Sequence, residues 1–139
     1  MADEQVVQIA TEADILSARQ SGRAIAARLG FSQTDVTLIA TAISELARNI
    51  VQYAGRGEIV LSVIEERTRA GLSIEARDRG PGIADVARAL EDGFSTGGSL
   101  GLGLPGARRL LDELQVESEP GVGTVVRGTK WTSPSYVRT

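Results

Sequence analysis

The sequence predicts an α+β domain, and three observations predict it. Two long stretches near the N-terminus repeat apolar residues at a helical period, and each is opened by a capping residue. Two pairs of alternating, β-rich runs are each joined by a turn. A glycine- and serine-rich stretch runs directly into an apolar-faced helix.

In chain order, Val6 to Ala10 is a short β-rich run suited to an edge strand. Thr11-Glu12-Ala13-Asp14 then forms a capping-box-like helix start, with Asp where Glu or Gln is usual. Ile15, Ala18, Gly22, Ile25, Ala26 and Leu29 follow the helical period, and Gly30 ends it. Ser32 caps a second helix, with Asp35 three residues on, and Val36, Ile39, Ala40, Ile43, Leu46, Ala47 and Ile50 make one apolar stripe. That helix is expected to end near Tyr53-Ala54-Gly55. Glu58 to Glu65 and Leu72 to Asp78 alternate as strands around a polar turn from Glu66 to Gly71, so a hairpin is expected. Arg79 to Ile83 is a turn, Ala84 to Asp92 a short helix and Gly93 to Gly103 a loop. Pro105 suits the first turn of a helix running to about Leu114, with Leu104, Ala107, Leu110, Leu111 and Leu114 inward. Gln115 to Ser118 and Thr124 to Trp131 are strands joined by a turn from Glu119 to Gly123, and Thr132 to Thr139 reads as a frayed tail. No repeat or linker interrupts the chain, so residues 1–139 are expected to form a single domain.

Composition narrows the chemistry. Hydrophobic residues make up 42% of the 139 residues and aromatic ones only 4%, so Ala, Val, Ile and Leu must build the core. The net charge of −3, with no run of Lys and Arg, argues against a nucleic-acid partner. Without cysteine there is no disulfide, thiolate zinc site or cysteine nucleophile, and without histidine there is no imidazole base, ligand or phosphohistidine. Chemistry is left to carboxylates, amides, hydroxyls, backbone groups and bound cofactors. The acidic N-terminus lacks the apolar core of a secretory signal, and no stretch reaches the roughly 20 apolar residues of a membrane span. The expectation is a cytoplasmic protein that binds no membrane.

Three local patterns can carry function. Glu45 and Asn49 lie four apart on one helix, so they share a face beside the apolar stripe. A carboxylate next to an amide carbonyl suits a hard cation such as Mg²⁺, although the pair alone equally describes a solvated polar face. Asp78-Arg79-Gly80-Pro81-Gly82 follows a strand: the carboxylate can accept from an exocyclic amine, and the glycines let backbone approach a flat ring. Pro-Gly is also an ordinary turn signal. The stretch from Gly97 to Gly106 offers unobstructed backbone N–H groups followed by a helix N-terminus, which suits phosphate. A flexible linker is the plainer reading, but linkers rarely lead into an apolar-faced helix.

Gly101, Gly103 and Gly106 also satisfy G-x-G-x-x-G, but a dinucleotide site needs a strand immediately before the first glycine. Here the preceding residues, Phe94 to Ser99, are loop-forming. No G-K-[ST] of a P-loop and no V-A-I-K or H-R-D of a eukaryotic-type protein kinase occurs.

The three patterns, in this order and closed by Gly121-Val122-Gly123-Thr124, resemble the Bergerat-type ATP site shared by DNA gyrase B, Hsp90, histidine kinases and MutL. Over about residues 5 to 131, and above all in ISELARNI and EDGFSTGGSLGLGLPGARRL, the chain is similar to the anti-sigma-factor serine kinases, nearest to RsbT-like switch kinases of the stressosome. The resemblance implies a two-layer sandwich, with a mixed, mostly antiparallel sheet and helices on one face. It implies ATP and Mg²⁺ as cofactors: Asn49 coordinating the metal, Glu45 orienting or deprotonating the attacking hydroxyl, and Asp78 holding the adenine amino group with Thr124 supporting through water. Gly80, Gly82 and Ile83 would border the ring, Gly101, Leu102 and Gly103 would meet the phosphates, and Gly93 to Ser99 would act as a lid. Such roles suit phosphoryl transfer, where positioning and charge stabilisation dominate.

One departure stands out. Related kinases place a basic residue in the lid, and residues 93–103 contain none, a bareness shared by RsbT-like chains. Arg48, Arg79 and Lys130 are the candidates to replace it. The function implied is a serine/threonine kinase acting on a STAS-domain antagonist, and then, once released, activating a PP2C-type phosphatase. The competing readings are an anti-sigma factor that binds nucleotide and sequesters a sigma factor, and a detached histidine-kinase catalytic domain.

Overall fold

The computed structural model describes residues 4–82 and 103–132. Strand β1 (Glu4–Ile9) is followed by helices α1 (Glu12–Leu29) and α2 (Gln33–Asn49), and a π-helical turn over Ile50–Ala54 closes α2. Strands β2 (Gly57–Glu66) and β3 (Arg69–Asp78) form a hairpin; α3 (Gly103–Leu110), β4 (Glu113–Glu119) and β5 (Gly123–Trp131) follow. The predicted helix at Ala84 to Asp92 and the loop after it lie outside the described residues.

The helix starts form as their capping residues dictate. Asp14 N–H donates to Thr11 Oγ1 while Asp14 Oδ2 accepts from the backbone of Ala10 and Thr11, so two orphan donors of the helix end are satisfied reciprocally. Ser32 Oγ accepts from Asp35 N–H at 3.1 Å. Gly30 closes α1 at φ 88°, a left-handed conformation that glycine adopts without steric cost.

The sheet has the order β1-β2-β3-β5-β4, and every pairing among the described residues is antiparallel. Its register sorts the side chains by period two. Ile59, Leu61, Leu72, Ile74, Ala76 and Val126 join Ile15 and Ile25 of α1, Ile39, Ile43, Leu46 and Ala47 of α2, Ile50 of the π-helical turn, and Leu104 and Ala107 of α3 in one core, so the three helices among the described residues lie on the same face of the sheet. At the crossing of α1 and α2, a Cβ on Gly22 would stand 2.1 Å from Ile43 Cδ1, so the close helix approach depends on that glycine.

The other face carries a cluster of charged side chains. Glu75 lies at its centre with a carboxylate bonded by two arginines: Arg127 Nη2 at 2.6 Å and the guanidinium of Arg77, which also reaches Glu58 at 3.3 Å. Burial pushes the Glu75 carboxyl up, but its hydrogen bonds to Arg127 and Arg77 more than offset this and hold it below the ordinary carboxylate value. A lowered folded-state value means stability that is present above the ordinary value and lost as pH falls through the folded one. Glu75→Gln is therefore expected to lower stability at neutral pH by about 1 kcal/mol. It should also flatten the loss of Tm on acidification below about pH 4.5, the ordinary value of the group. Thermal unfolding from pH 7 to pH 3 checks both outcomes.

Several details differ from those expected. The α2 pattern runs to Gly55 as foreseen, but its last turn widens: Gly55 N–H bonds to the carbonyl of Ile50, an i→i+5 bond. The β2–β3 turn shrinks to Arg67-Thr68, because Arg69 and Ala70 pair with Glu66 and Glu65. Helix α3 stops at Leu110 rather than near Leu114, since Asp112 N–H donates to the Thr129 carbonyl and Asp112 Oδ2 accepts from Trp131 N–H, drawing the chain into β4. Thr132, assigned to a frayed tail, is buried, with its hydroxyl and N–H both bonded to the Ala70 carbonyl. Among the described residues no helix is long and apolar enough to cross a membrane.

Candidate nucleotide site

The register of β3, β5 and β4 lines up Asp78, Thr124 and Ser118 as neighbours across the sheet, on the helix-facing side at one end. Thr124 is buried, and its Oγ1 lies 2.8 Å from Ser118 Oγ. Gly57 is the neighbour of Asp78 on the β2 side. A Cβ on Gly57 would come within 3.1 Å of Asp78 Cβ and 2.9 Å of Ile50 Cγ2, so this glycine lets the Asp78 strand end meet the turn that follows Asn49.

The loop after Asp78 folds back on its carboxylate. Asp78 Oδ1 accepts from Gly80 N–H at 2.9 Å, an Asx-type turn that orients the side chain and leaves its second oxygen for a ligand. A Cβ on Gly80 would meet Ala54 Cβ at 2.6 Å, so the loop is seated on the π-helical turn. Gly82, at φ 79°, faces the Glu119 carbonyl, and Gly121 N–H donates to the Pro81 carbonyl at 2.8 Å. Gly123 approaches closest, for a Cβ there would stand 2.2 Å from the Asp78 carbonyl oxygen. The two glycine turns are thus tied together, with Asp78 between them. A groove of about 730 Å³ runs over this end of the sheet, but Gln8, Glu58, Arg77, Glu117 and Val125 in its lining alternate onto the face opposite the helices, so it is not the volume enclosed between Asp78 and α2.

On α2, Glu45 is buried and its Oε2 receives Arg48 Nη1 at 3.0 Å. Asn49, one turn on, is half-buried, and its side chain has no hydrogen-bond partner among the described residues. Also among the described residues, no three carboxylate, His or Cys side chains converge, so a cation beside Asn49 would take few protein ligands. That is the habit of Mg²⁺, which keeps waters and phosphate oxygens in its shell. Gly103 is the first residue of α3, whose opening N–H groups have no partner within the helix. Helix α3 packs against α2.

The structure therefore brings Asp78, Gly80, Gly82 and Thr124 together and joins them through Ala54 and Ile50 to the helix that carries Glu45 and Asn49. Ile83, Gly101 and Leu102, with the predicted lid, lie outside the described residues. Of the three basic candidates, Lys130 is at the opposite end of β5, 3.7 Å from Asp112 and 4.0 Å from Asp35, and is ruled out. Arg48 is engaged with Glu45, and Arg79 is exposed beside Asp78. Two residues hold places in the structure that the sequence does not reveal. Ser118 is a common strand residue with no signal of its own, and Arg48 was weighed only as a cation, not as the partner of Glu45.

The profile of the family described as "Histidine kinase-, DNA gyrase B-, and HSP90-like ATPase" matches residues 34–132. The chain is 52% identical over 131 residues to the serine/threonine-protein kinase RsbT of Bacillus subtilis, covering 94% of this chain and 98% of that one. It is 36% identical over 118 residues to an anti-sigma F factor of Caldanaerobacter subterraneus subsp. tengcongensis, covering 82% of each. Among solved structures, the RsbU and RsbW domains of Rv1364c from Mycobacterium tuberculosis align over 100% of this chain and 35% of that one, with a TM-score of 0.64 and 21% identity, a likeness of fold.

Proposed function

Since the chain belongs to the histidine kinase-, DNA gyrase B- and HSP90-like ATPases, in the branch of the serine/threonine-protein kinase RsbT, we propose a specific task for it. It transfers the γ-phosphoryl group of Mg–ATP to a Ser or Thr of a STAS-domain antagonist in a cytoplasmic partner-switching pathway. Released from that complex, it binds and activates a PP2C-type phosphatase. The observation that carries this reading is the meeting of Asp78, Thr124 and the two glycine turns with the end of α2.

In this reading Asp78 accepts from the adenine amine, Thr124 supports it, and Gly80, Gly82 and Ile83 border the ring. Gly101, Leu102 and Gly103 offer backbone N–H groups to the phosphates. Asn49 would hold Mg²⁺, whose contribution is to neutralise phosphate charge. Glu45 accepts the proton of the attacking hydroxyl, and Arg48 keeps its carboxylate oriented. Incubation with γ-labelled ATP and a STAS-domain protein encoded beside the chain tests the proposal, with acid-stable label on Ser or Thr as the expected product. No label on that protein refutes the kinase substrate.

Asn49→Ala is expected to leave nucleotide binding measurable but to remove most of its dependence on Mg²⁺, read by titration with and without EDTA. A second reading draws on the similarity to an anti-sigma F factor: nucleotide-dependent capture of a sigma factor. Co-purification with a sigma factor instead of a phosphatase would favour it.

A further inference from the structure

Arg48 has hydrogen-bonding capacity left over after its bond to Glu45. It stands next to Asn49 on α2 and reaches back one turn, as long helical side chains do, so that Nη1 lies 3.0 Å from Glu45 Oε2. The two ends of this pair differ in exposure: the Glu45 side chain is 11% exposed and that of Arg48 46%. A guanidinium has five N–H donors, and among the described residues Glu45 alone accepts from it. Nε and Nη2 therefore keep their protons for another acceptor.

The nearest source of one follows from the role of Glu45 in the nucleotide reading above, on which this inference rests. There Glu45 accepts the proton of the attacking hydroxyl, across a hydrogen bond of about 2.6–3.2 Å. The attacking oxygen in turn stands about 3–3.5 Å from the phosphorus that it will bond. Arg48 is held 3.0 Å from the same carboxylate. Of the three phosphates only the γ-phosphoryl group adjoins that hydroxyl, so it is the one brought nearest to this guanidinium. Charge favours the contact. Arg48 is the only cation on α2, and without it the charges of a triphosphate would meet the buried Glu45 carboxylate uncompensated by that helix. The planar fork of an arginine can hold a carboxylate with one arm and a phosphoryl oxygen with another.

We infer that Arg48 bridges Glu45 and the γ-phosphoryl group, and that it is thereby the residue through which the site tells ATP from ADP. ADP lacks the group and gains nothing from the free arm of the fork.

The test is titration calorimetry of the full chain, with Mg²⁺, using ADP and the slowly hydrolysed ATP analogue AMP-PNP, for the unaltered protein, Arg48→Gln and Arg48→Lys. Gln can still donate to Glu45 but carries no charge. In Arg48→Gln the AMP-PNP:ADP affinity ratio should fall by about tenfold or more, with ADP affinity nearly unchanged, since a hydrogen bond to a charged group is lost only with the triphosphate. Arg48→Lys keeps the charge and should regain part of the ratio. An Arg48→Gln variant with the ratio of the unaltered protein overturns the proposal, even if phosphoryl transfer is slowed, for Arg48 then only orients Glu45. So does a variant that weakens both nucleotides in proportion, although the nucleotide reading would then stand. Binding of neither nucleotide by the unaltered protein refutes the nucleotide reading and this inference with it.

Discussion

Asp78→Asn should reduce ATP affinity by about two orders of magnitude while leaving the fold intact. The carboxylate is the one charged acceptor in the row with Thr124, and a hydrogen bond to a charged group is worth about 1.5–3 kcal/mol. Replacing one oxygen by NH₂ also directs a donor at the adenine amine, which has only donors to offer. The loop is spared in part, since the amide oxygen can still accept from Gly80 N–H as Oδ1 does now. Calorimetry with ADP checks affinity, and thermal unfolding without nucleotide checks the fold. Affinity within a few-fold of the unaltered protein would remove Asp78 from the site.

Glu45→Gln should separate chemistry from binding. The side chain is buried on α2, bonded to Arg48, and projects from the same helix as Asn49 one turn away. Gln fills nearly the same space and its oxygen can keep the Arg48 bond, so nucleotide affinity should change little. Without a carboxylate to accept the hydroxyl proton, phosphoryl transfer should slow by about 10²- to 10⁴-fold. Single-turnover labelling of the protein substrate, at saturating ATP, measures this. An unchanged rate would mean that Glu45 holds Arg48 in place and does no proton transfer.

Much of the fold was legible because its signals are local. Thr11, Asp14, Ser32 and Gly30 each act within one helical turn, and the α2 stripe from Val36 to Ile50 is buried along its length as its spacing predicts. The misplaced boundaries are those set by distant partners. Leu111 and Leu114 continue a helical period, yet the Thr129 carbonyl and the Trp131 N–H capture Asp112 and start a strand. Thr132 is anchored by Ala70, 62 residues away in sequence. The π-helical turn has no residue signature, since its i→i+5 bond is set by how the chain must leave α2 to reach β2. The site was legible in outline because Asp78, Gly80, Gly82 and Thr124 are special residue types at turns. Ser118 was not, because its role arises only from the β4–β5 register.

The long β3–β5 ladder also decides what light can report from this molecule. Trp131 is the single tryptophan, and its ring lies 3.7 Å below the Arg69 guanidinium, opposite Gly71. Asp78 pairs with Thr124 at the other end, seven residues along each strand, or roughly 23 Å at the rise of a β-strand. Tryptophan emission therefore follows melting of the far end of the sheet and is blind to a ligand bound only at the Asp78 end. A spectral shift on adding nucleotide would mean that occupancy is transmitted along the whole ladder.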